Sequence, residues 1–190
     1  MKAWHFLAED CRLRYDDRQL VEPGSVIELP RGRDLVLCEW GLHASKRPID
    51  ALKYAPGSVL CRVELSGGVV HDTDKSVGHR REVLWMADIT WELHELACWC
   101  AEAALRAANV TDERSWNAIR VKRAWMDGEA SDADLSAAAN AAMNAAWSAA
   151  MNATWNAAWN AAGSAAWSAA GSAQNQQLLA VINGLEWDDD

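Results

Sequence analysis

Between residues 140 and 171 the chain repeats a four-residue unit: Asn140-Ala-Ala-Met143, Asn144-Ala-Ala-Trp147, Ser148-Ala-Ala-Met151 and Asn152-Ala-Thr-Trp155. Asn156-Ala-Ala-Trp159, Asn160-Ala-Ala-Gly163, Ser164-Ala-Ala-Trp167 and Ser168-Ala-Ala-Gly171 complete it. Alanine has the highest helix propensity, and one Asn or Ser in four does not cancel it, so the repeat predicts helix. Unbroken from 131 to 183, such a helix is roughly 80 Å long. A domain built from 190 residues cannot bury a rod of that length. The segment therefore projects, folds back at Gly163 or Gly171, or assembles with a second copy.

The repeat length sets the geometry. Four residues advance a helix by about 400°, so the Met/Trp/Gly stripe drifts by roughly 40° per unit. Neighbours such as Trp155 and Trp159 touch at i,i+4, but the stripe winds around the helix over the whole run. A left-handed coiled coil needs a period of about 3.5 residues and a right-handed one about 3.67, so a long straight pairing is not expected. Ser131 or Asp132 can cap the start, with Asp134 favourable at the positive end of the helix dipole. Recurrent Asn and Ser exclude membrane insertion.

Charge divides the chain unequally. All 18 Lys and Arg lie in residues 1–123, beside 19 Asp and Glu, which leaves that part at −1. Residues 124–190 hold eight acids and no Lys or Arg, a net of −8. Replacing the counterions of a nucleic-acid backbone requires cations, so the C-terminal half is not expected to bind nucleic acid directly, nor to dock on an anionic membrane. A charged partner of this half would be basic. Twelve Trp stand against one Phe and two Tyr. The five Cys (Cys11, Cys38, Cys61, Cys98 and Cys100) are odd in number and scattered, which predicts reduced thiols, and the N-terminus has no secretory pattern. Together these place the chain in the cytoplasm.

Residues 1–88 read as a small strand-rich domain, with β-like runs at 2–7, 25–29, 34–38, 58–65 and 68–71 separated by Pro-Gly, Arg-Gly and Gly-Gly turn signals. Val59, Cys61, Val63 and Leu65 alternate with Leu60, Arg62 and Glu64, the pattern of a strand with one buried face. A short helix is predicted over 45–54, capped by Ser45 and stopped by Pro56-Gly57. Residues 89–128 read as two packing helices, the second capped by Thr111 and closed by Gly128. The repeat segment 131–183 and an acidic tail at 184–190 follow. The expected class is α+β: a strand-rich N-terminal domain, then helices, ending in a long Ala-rich helix or helical hairpin.

Metal chemistry is not expected. In His94-x3-Cys98-x-Cys100 the first two share a helix face, but Cys100 lies about 200° from Cys98, and no CxxC pair exists. No phosphate-cradling glycine loop and no Gly-x-Ser-x-Gly elbow occur.

Three boxes carry a resemblance. Lys2-Ala-Trp-His-Phe6 opens the chain, Gly41-Leu-His-Ala-Ser45 and Asp50-Ala-Leu-Lys-Tyr-Ala-Pro-Gly57 follow, and Gln174-Asn-Gln-Gln-Leu-Leu179 lies near the end. In these boxes and its Trp-punctuated Ala repeat, nearly the whole chain resembles a family of short, uncharacterised proteins of tailed phages and prophages. Many of those have repeats bearing Arg and Asp, where this chain has Asn and Ser. The resemblance implies a phage origin and no established activity.

The leading expectation is a phage-encoded, non-enzymatic protein-binding module whose acidic Trp/Met-lined helical segment contacts a host protein or a second copy of the chain, with inhibition of a host defence complex, as by an anti-CRISPR, as the expected role. Met143, Trp147, Met151, Trp155, Trp159 and Trp167 are the candidate partner-binding residues, because Met and large aromatics dominate interface cores. A second resemblance offers an alternative. Gly41-Leu-His-Ala-Ser45 with Ala51 and Tyr54 is similar to the Gly-x-x-x-Ser…Ala-x-x-Tyr segment of ADP-ribosyltransferases. It implies NAD as cosubstrate, His5 at the ribose, Tyr54 stacking on the nicotinamide and Glu82 polarising a ribose hydroxyl. Under the leading reading no cofactor is expected.

Overall fold

The structure is a computed structural model, and it describes residues 1–14, 19–153, 163–183 and 185; over 146–153 and 163–171 the description is of the backbone. It is an α+β protein, with an antiparallel five-strand sheet followed by helices. It forms two compact units, one of residues 1–90 with the end of the chain from Asn175, the other of residues 91–174.

In the first unit the strands are β1 (Lys2–Leu7), β2 (Val26–Glu28), β3 (Leu42–Ala44), β4 (Val59–His71) and β5 (Ser76–Asp88), with helix α1 (Pro48–Leu52) after β3. The 13-residue strands β4 and β5 form a long hairpin. β1 pairs with the outer edge of β4, placing His5 opposite Cys61. β2 and β3 pair one after the other along the free edge of β5. β3 then turns back towards β1: the Trp4 amide donates to the Ser45 carbonyl at 2.7 Å, and the Ser45 amide to the Trp4 carbonyl at 2.8 Å. Those two bonds join β1, β4, β5 and β3 into a closed ring, which removes the open edges that a short sheet would expose.

One face of the ring is the apolar core: Ala3 and Leu7 of β1, Val59, Cys61, Val63 and Leu65 of β4, Val83 of β5, with Leu13, Val21, Ile27, Leu42 and Ala44. The alternation read in 59–65 is the inward face of β4. Burying these aliphatic side chains contributes about 1.5–3 kcal/mol each. Within the same unit, the Ile49 amide donates to Asn175 Oδ1 at 3.4 Å, and Leu178 and Ile182 are fully buried.

Local expectations are corrected at several points. Residues 34–38 are not a strand but a reversal, in which Val36 bridges Trp40 and Cys38 holds a left-handed φ of 66°. Runs 58–65 and 68–71 are one strand. Gly67 and Gly68, at φ 78° and 84°, form a bulge inside it rather than a turn between two. Ser45 does not cap α1; its backbone is taken by Trp4, and Arg47 stands at the N-cap without a side-chain bond.

In the second unit, α2 (Thr90–Ala107), α3 (Glu113–Met126) and α4 (Asp132–Ala153) follow in sequence. Asp112, not Thr111, caps α3 by accepting from the Arg114 amide at 2.9 Å. Gly128, at φ 76°, ends it as expected. Cys98 of α2 packs with Ile119 and Met126 of α3. The Arg123 guanidinium clasps Glu95, at 2.9 Å, and Glu102 of α2. Ser131 caps α4: its hydroxyl accepts from the Asp134 amide at 3.2 Å, while the Asp134 carboxylate accepts from the Ser131 amide at 2.9 Å. The described residues of the repeat fall in α4 and in α5 (Gly163–Ile182), with Gly171 inside the latter.

Gly41 tests the closure of the ring. It has φ +130°, and an added Cβ would lie 2.1 Å from Val77 Cγ2 and 2.9 Å from Leu35 Cδ2. Gly41→Ala is expected to cost about 2–4 kcal/mol in urea unfolding. Gly68→Ala, at a left-handed position with nothing within 4 Å, should cost about 1 kcal/mol.

Candidate functional site

The closed ring leaves a cavity of about 690 Å³ in the first unit, at the end where β1, β3 and α1 meet. That is the size range of small-molecule sites. Its wall takes His5 from β1, Trp40 and His43 from the reversal and β3, Tyr54 from behind α1, and Arg81 from β5.

Each of these side chains is aimed by a local constraint. Strand alternation puts His5 between Ala3 and Leu7 on the inward face of β1. Trp40 follows the left-handed Cys38, whose amide donates to His43 Nε2 at 3.0 Å. With Nε2 accepting, the His43 proton sits on Nδ1. Helix α1 is anchored by Asp50, 3% exposed, which accepts from Arg47 at 2.6 and 2.9 Å and from Lys53 at 2.9 Å. Burial pushes the Asp50 carboxyl up, but the Arg47 and Lys53 bonds more than offset that, leaving it below its ordinary value. Tyr54, half exposed at the cavity wall, donates to Asp74 Oδ2 at 2.9 Å, with Lys75 Nζ 3.4 Å from its hydroxyl.

Arg81 is the unusual residue. It is 4% exposed and sits in register with Ile27 of β2 and Leu65 of β4, both aliphatic. Nη1 donates to the His43 carbonyl at 3.0 Å, and among the described residues Nε is buried with no partner and no carboxylate pairs with the guanidinium. Burial pushes its pKa down to about 10, which still leaves it charged at neutral pH. Beside it, burial and then the charges of Arg81 and His43 hold the His5 imidazole well below its ordinary value of 6.5. Burial also lowers His43, against the Gly41 carbonyl and with Lys75 and Arg81. Burial raises the Cys61 thiol to about 12, so it is an inert thiol rather than a nucleophile.

Arg12, Arg14, Lys53, Lys75 and Arg81 line the cavity, and Glu39 is the carboxylate on its wall among the described residues; Lys53 is paired with Asp50 and Asp74, and Glu39 with Arg33 at 3.3 Å. Trp40 Nε1 is buried without a partner. It and Arg81 Nε are the only buried side-chain nitrogen or oxygen atoms left unpaired among the described residues, and both belong to residues that line the cavity.

The cavity brings His5 and Tyr54 together, but not Glu82. Glu82 neighbours Arg81 on β5 and so points to the opposite face, where it pairs with Arg80 at 2.7 Å. Trp40, His43 and Arg81 were not read as site residues. The Gly41–Ser45 box marked the first two only by proximity, and Arg81 lies in the charged run His79-Arg-Arg-Glu82, which carries no inward signal. Of the partner-binding candidates, Met143 lies on α4 and is 64% exposed. Trp155 and Trp159 lie outside the described residues; Trp147, Met151 and Trp167 are on α4 and α5, their side chains also outside the description. His94 meets Trp125 edge-on at 5.7 Å and Cys98 is core. No three His, Cys, Asp or Glu side chains are grouped to hold a metal among the described residues, and no helix there is long and apolar enough to cross a membrane.

The site is thus a donor-rich cavity in a small antiparallel α+β domain. Residues 1–95 match the family described as a domain of unknown function, DUF7666, and the chain belongs to that family. The match ends before the Ala/Trp repeat. No curated protein and no solved structure matches the chain.

His5 and His43 are neutral in the fold and protonate freely when unfolded, with pKa values lowered from 6.5. Their contribution is therefore complete above that value and is lost as pH falls through it. Melting temperature is expected to fall between pH 7.5 and 5, and His5→Leu to fall less over the same interval, in paired scanning-fluorimetry series.

Proposed function

We propose that the protein is a non-enzymatic binding module of phage or prophage origin, whose head holds a small ligand and whose acidic helical segment contacts a protein. One observation carries the reading: the two buried unpaired donors, Arg81 Nε and Trp40 Nε1, belong to residues on the same cavity. Buried polar groups normally find partners, so two orphans at one site call for an outside acceptor. Among the described residues Glu39 is spent on Arg33 and Glu82 faces away, so none supplies a free carboxylate to the wall, which favours binding over catalysis.

For the helical segment, the support is Met143, exposed on a helix without Lys or Arg. Such a surface suits a basic protein partner, among them a host defence complex, or a second copy. A thermal-shift panel of small molecules on the full chain is expected to yield at least one that raises the melting temperature, and none doing so ends the ligand reading. Met143→Asp should leave stability within about 0.5 kcal/mol and shift any self-association seen by light scattering towards monomer; an unchanged mass distribution removes Met143 from the interface.

The second reading is an ADP-ribosyltransferase-like enzyme using NAD, favoured by His5 and Tyr54 lining one cavity. It requires release of nicotinamide from NAD by the full chain and loss of that release in Tyr54→Ala with the fold intact. No nicotinamide above the buffer rate discards it.

A further inference from the structure

The ligand class follows from the charge at the cavity floor. Resting on the ligand-binding reading above, we propose that the cavity is an anion site, in which Arg81 and Trp40 receive the carboxylate or phosphate group of a small ring-bearing molecule.

Arg81 is a cation placed where a fold built for stability alone would put an aliphatic. Its cross-strand neighbours are Ile27 and Leu65, its exposure is 4%, and no carboxylate answers it. Taking an ion out of water costs several kcal/mol unless a counter-charge and hydrogen bonds offset it, and a well-packed apolar side chain is often the more stable choice. The guanidinium has five N–H donors; the protein uses Nη1, on the His43 carbonyl, and leaves Nε buried and unbonded. Trp40 adds a second buried donor, unable to accept. His43 accepts from the Cys38 amide through Nε2, which commits that nitrogen. His5, held neutral by burial and by Arg81, makes no hydrogen bond among the described residues and offers one ring nitrogen to accept from a protonated ligand atom.

The rest of the wall agrees. Lys75 stands over the Tyr54 ring at 4.8 Å from its centroid, and Arg33 over the Trp40 ring at 4.2 Å. Both rings line the cavity, so a planar ligand has aromatic surface to lie on. Among the described residues, the carboxylate on the wall, Glu39, is already paired with Arg33. An anion entering this cavity exchanges its water for an uncompensated cation and orphan donors; a neutral molecule of the same shape gains only the apolar contact.

That difference defines the experiment. Full-length protein is titrated calorimetrically with benzoate, with benzamide (its neutral isostere) and with phenyl phosphate, at fixed ionic strength. Benzoate or phenyl phosphate is expected to bind at least about tenfold more tightly than benzamide, the scale of one charge-assisted bond, and the stronger of the two identifies carboxylate or phosphate as the group. Arg81→Met is expected to abolish that preference while retaining or raising the melting temperature without ligand. Trp40→Phe, which keeps the ring and removes the donor, is expected to weaken the preferred anion several-fold. Benzamide binding as tightly as both anions overturns the anion site and leaves a neutral-ligand cavity standing. No binding by any of the three overturns the anion site and the ligand reading together. An anion preference that survives in both variants also overturns the assignment to Arg81 and Trp40. The isostere comparison uses only the unaltered protein, so it decides even if Arg81→Met fails to fold.

Discussion

Two backbone hydrogen bonds between Trp4 and Ser45 hold the head together as a ring. Without them β3 would be a three-residue strand on the edge of β5, and β1 an edge strand on β4. With them, His5 of β1 and His43 of β3 face one space, and α1 starts from a fixed point. The bridge also explains why Ser45 does not act as a helix cap: its amide and carbonyl are already committed to β1. Gly41 serves the same closure, because Val77 and Leu35 leave no room for a side chain there.

Closing a ring with short strands leaves a space that side chains do not fill. The head meets the apolar requirement with the β4 row from Val59 to Leu65, then departs from it at Arg81. A buried guanidinium without a carboxylate is an electrostatic cost, and it is borne on the wall of the cavity. The opposite arrangement occurs in the helical unit, where Arg123 is met by both Glu95 and Glu102. One cation is satisfied and holds two helices together; the other is left open. That contrast separates an arginine paired within the fold from one that no carboxylate among the described residues answers.

Legibility differed element by element. β1 was legible as a β-like run, and the alternating half of β4 because period-2 patterning marks a one-sided strand. β5, the strand with most partners, was not. Val77, Arg81 and Val83 point inward, whereas Met86 packs on the same core from the opposite parity, because the register shifts between Arg62 and Val63. Alternation is broken at that irregularity, and His79-Arg-Arg-Glu82 reads as a solvated charge run. For the site, His5 and Tyr54 were found through the resemblance of their boxes. Glu82 was chosen on the right strand but the wrong face, one residue from Arg81, and a single-residue step moves a side chain across the sheet.

The sequence by itself determined what local energetics control. Alanine propensity made helix of the described repeat, Ser131 and Asp134 set the start of α4, and the absence of Lys and Arg after residue 123 left the C-terminal half acidic. The tertiary structure alone decided the cavity. Its defining residues, His5, Trp40, His43 and Arg81, come from separate segments and meet only when β3 has been carried from β5 to β1. Whether a side chain such as Arg81 is solvated or buried is a property of that closure. Burial and the lack of a counter-charge arise from partners distant in the chain, which no local pattern encodes.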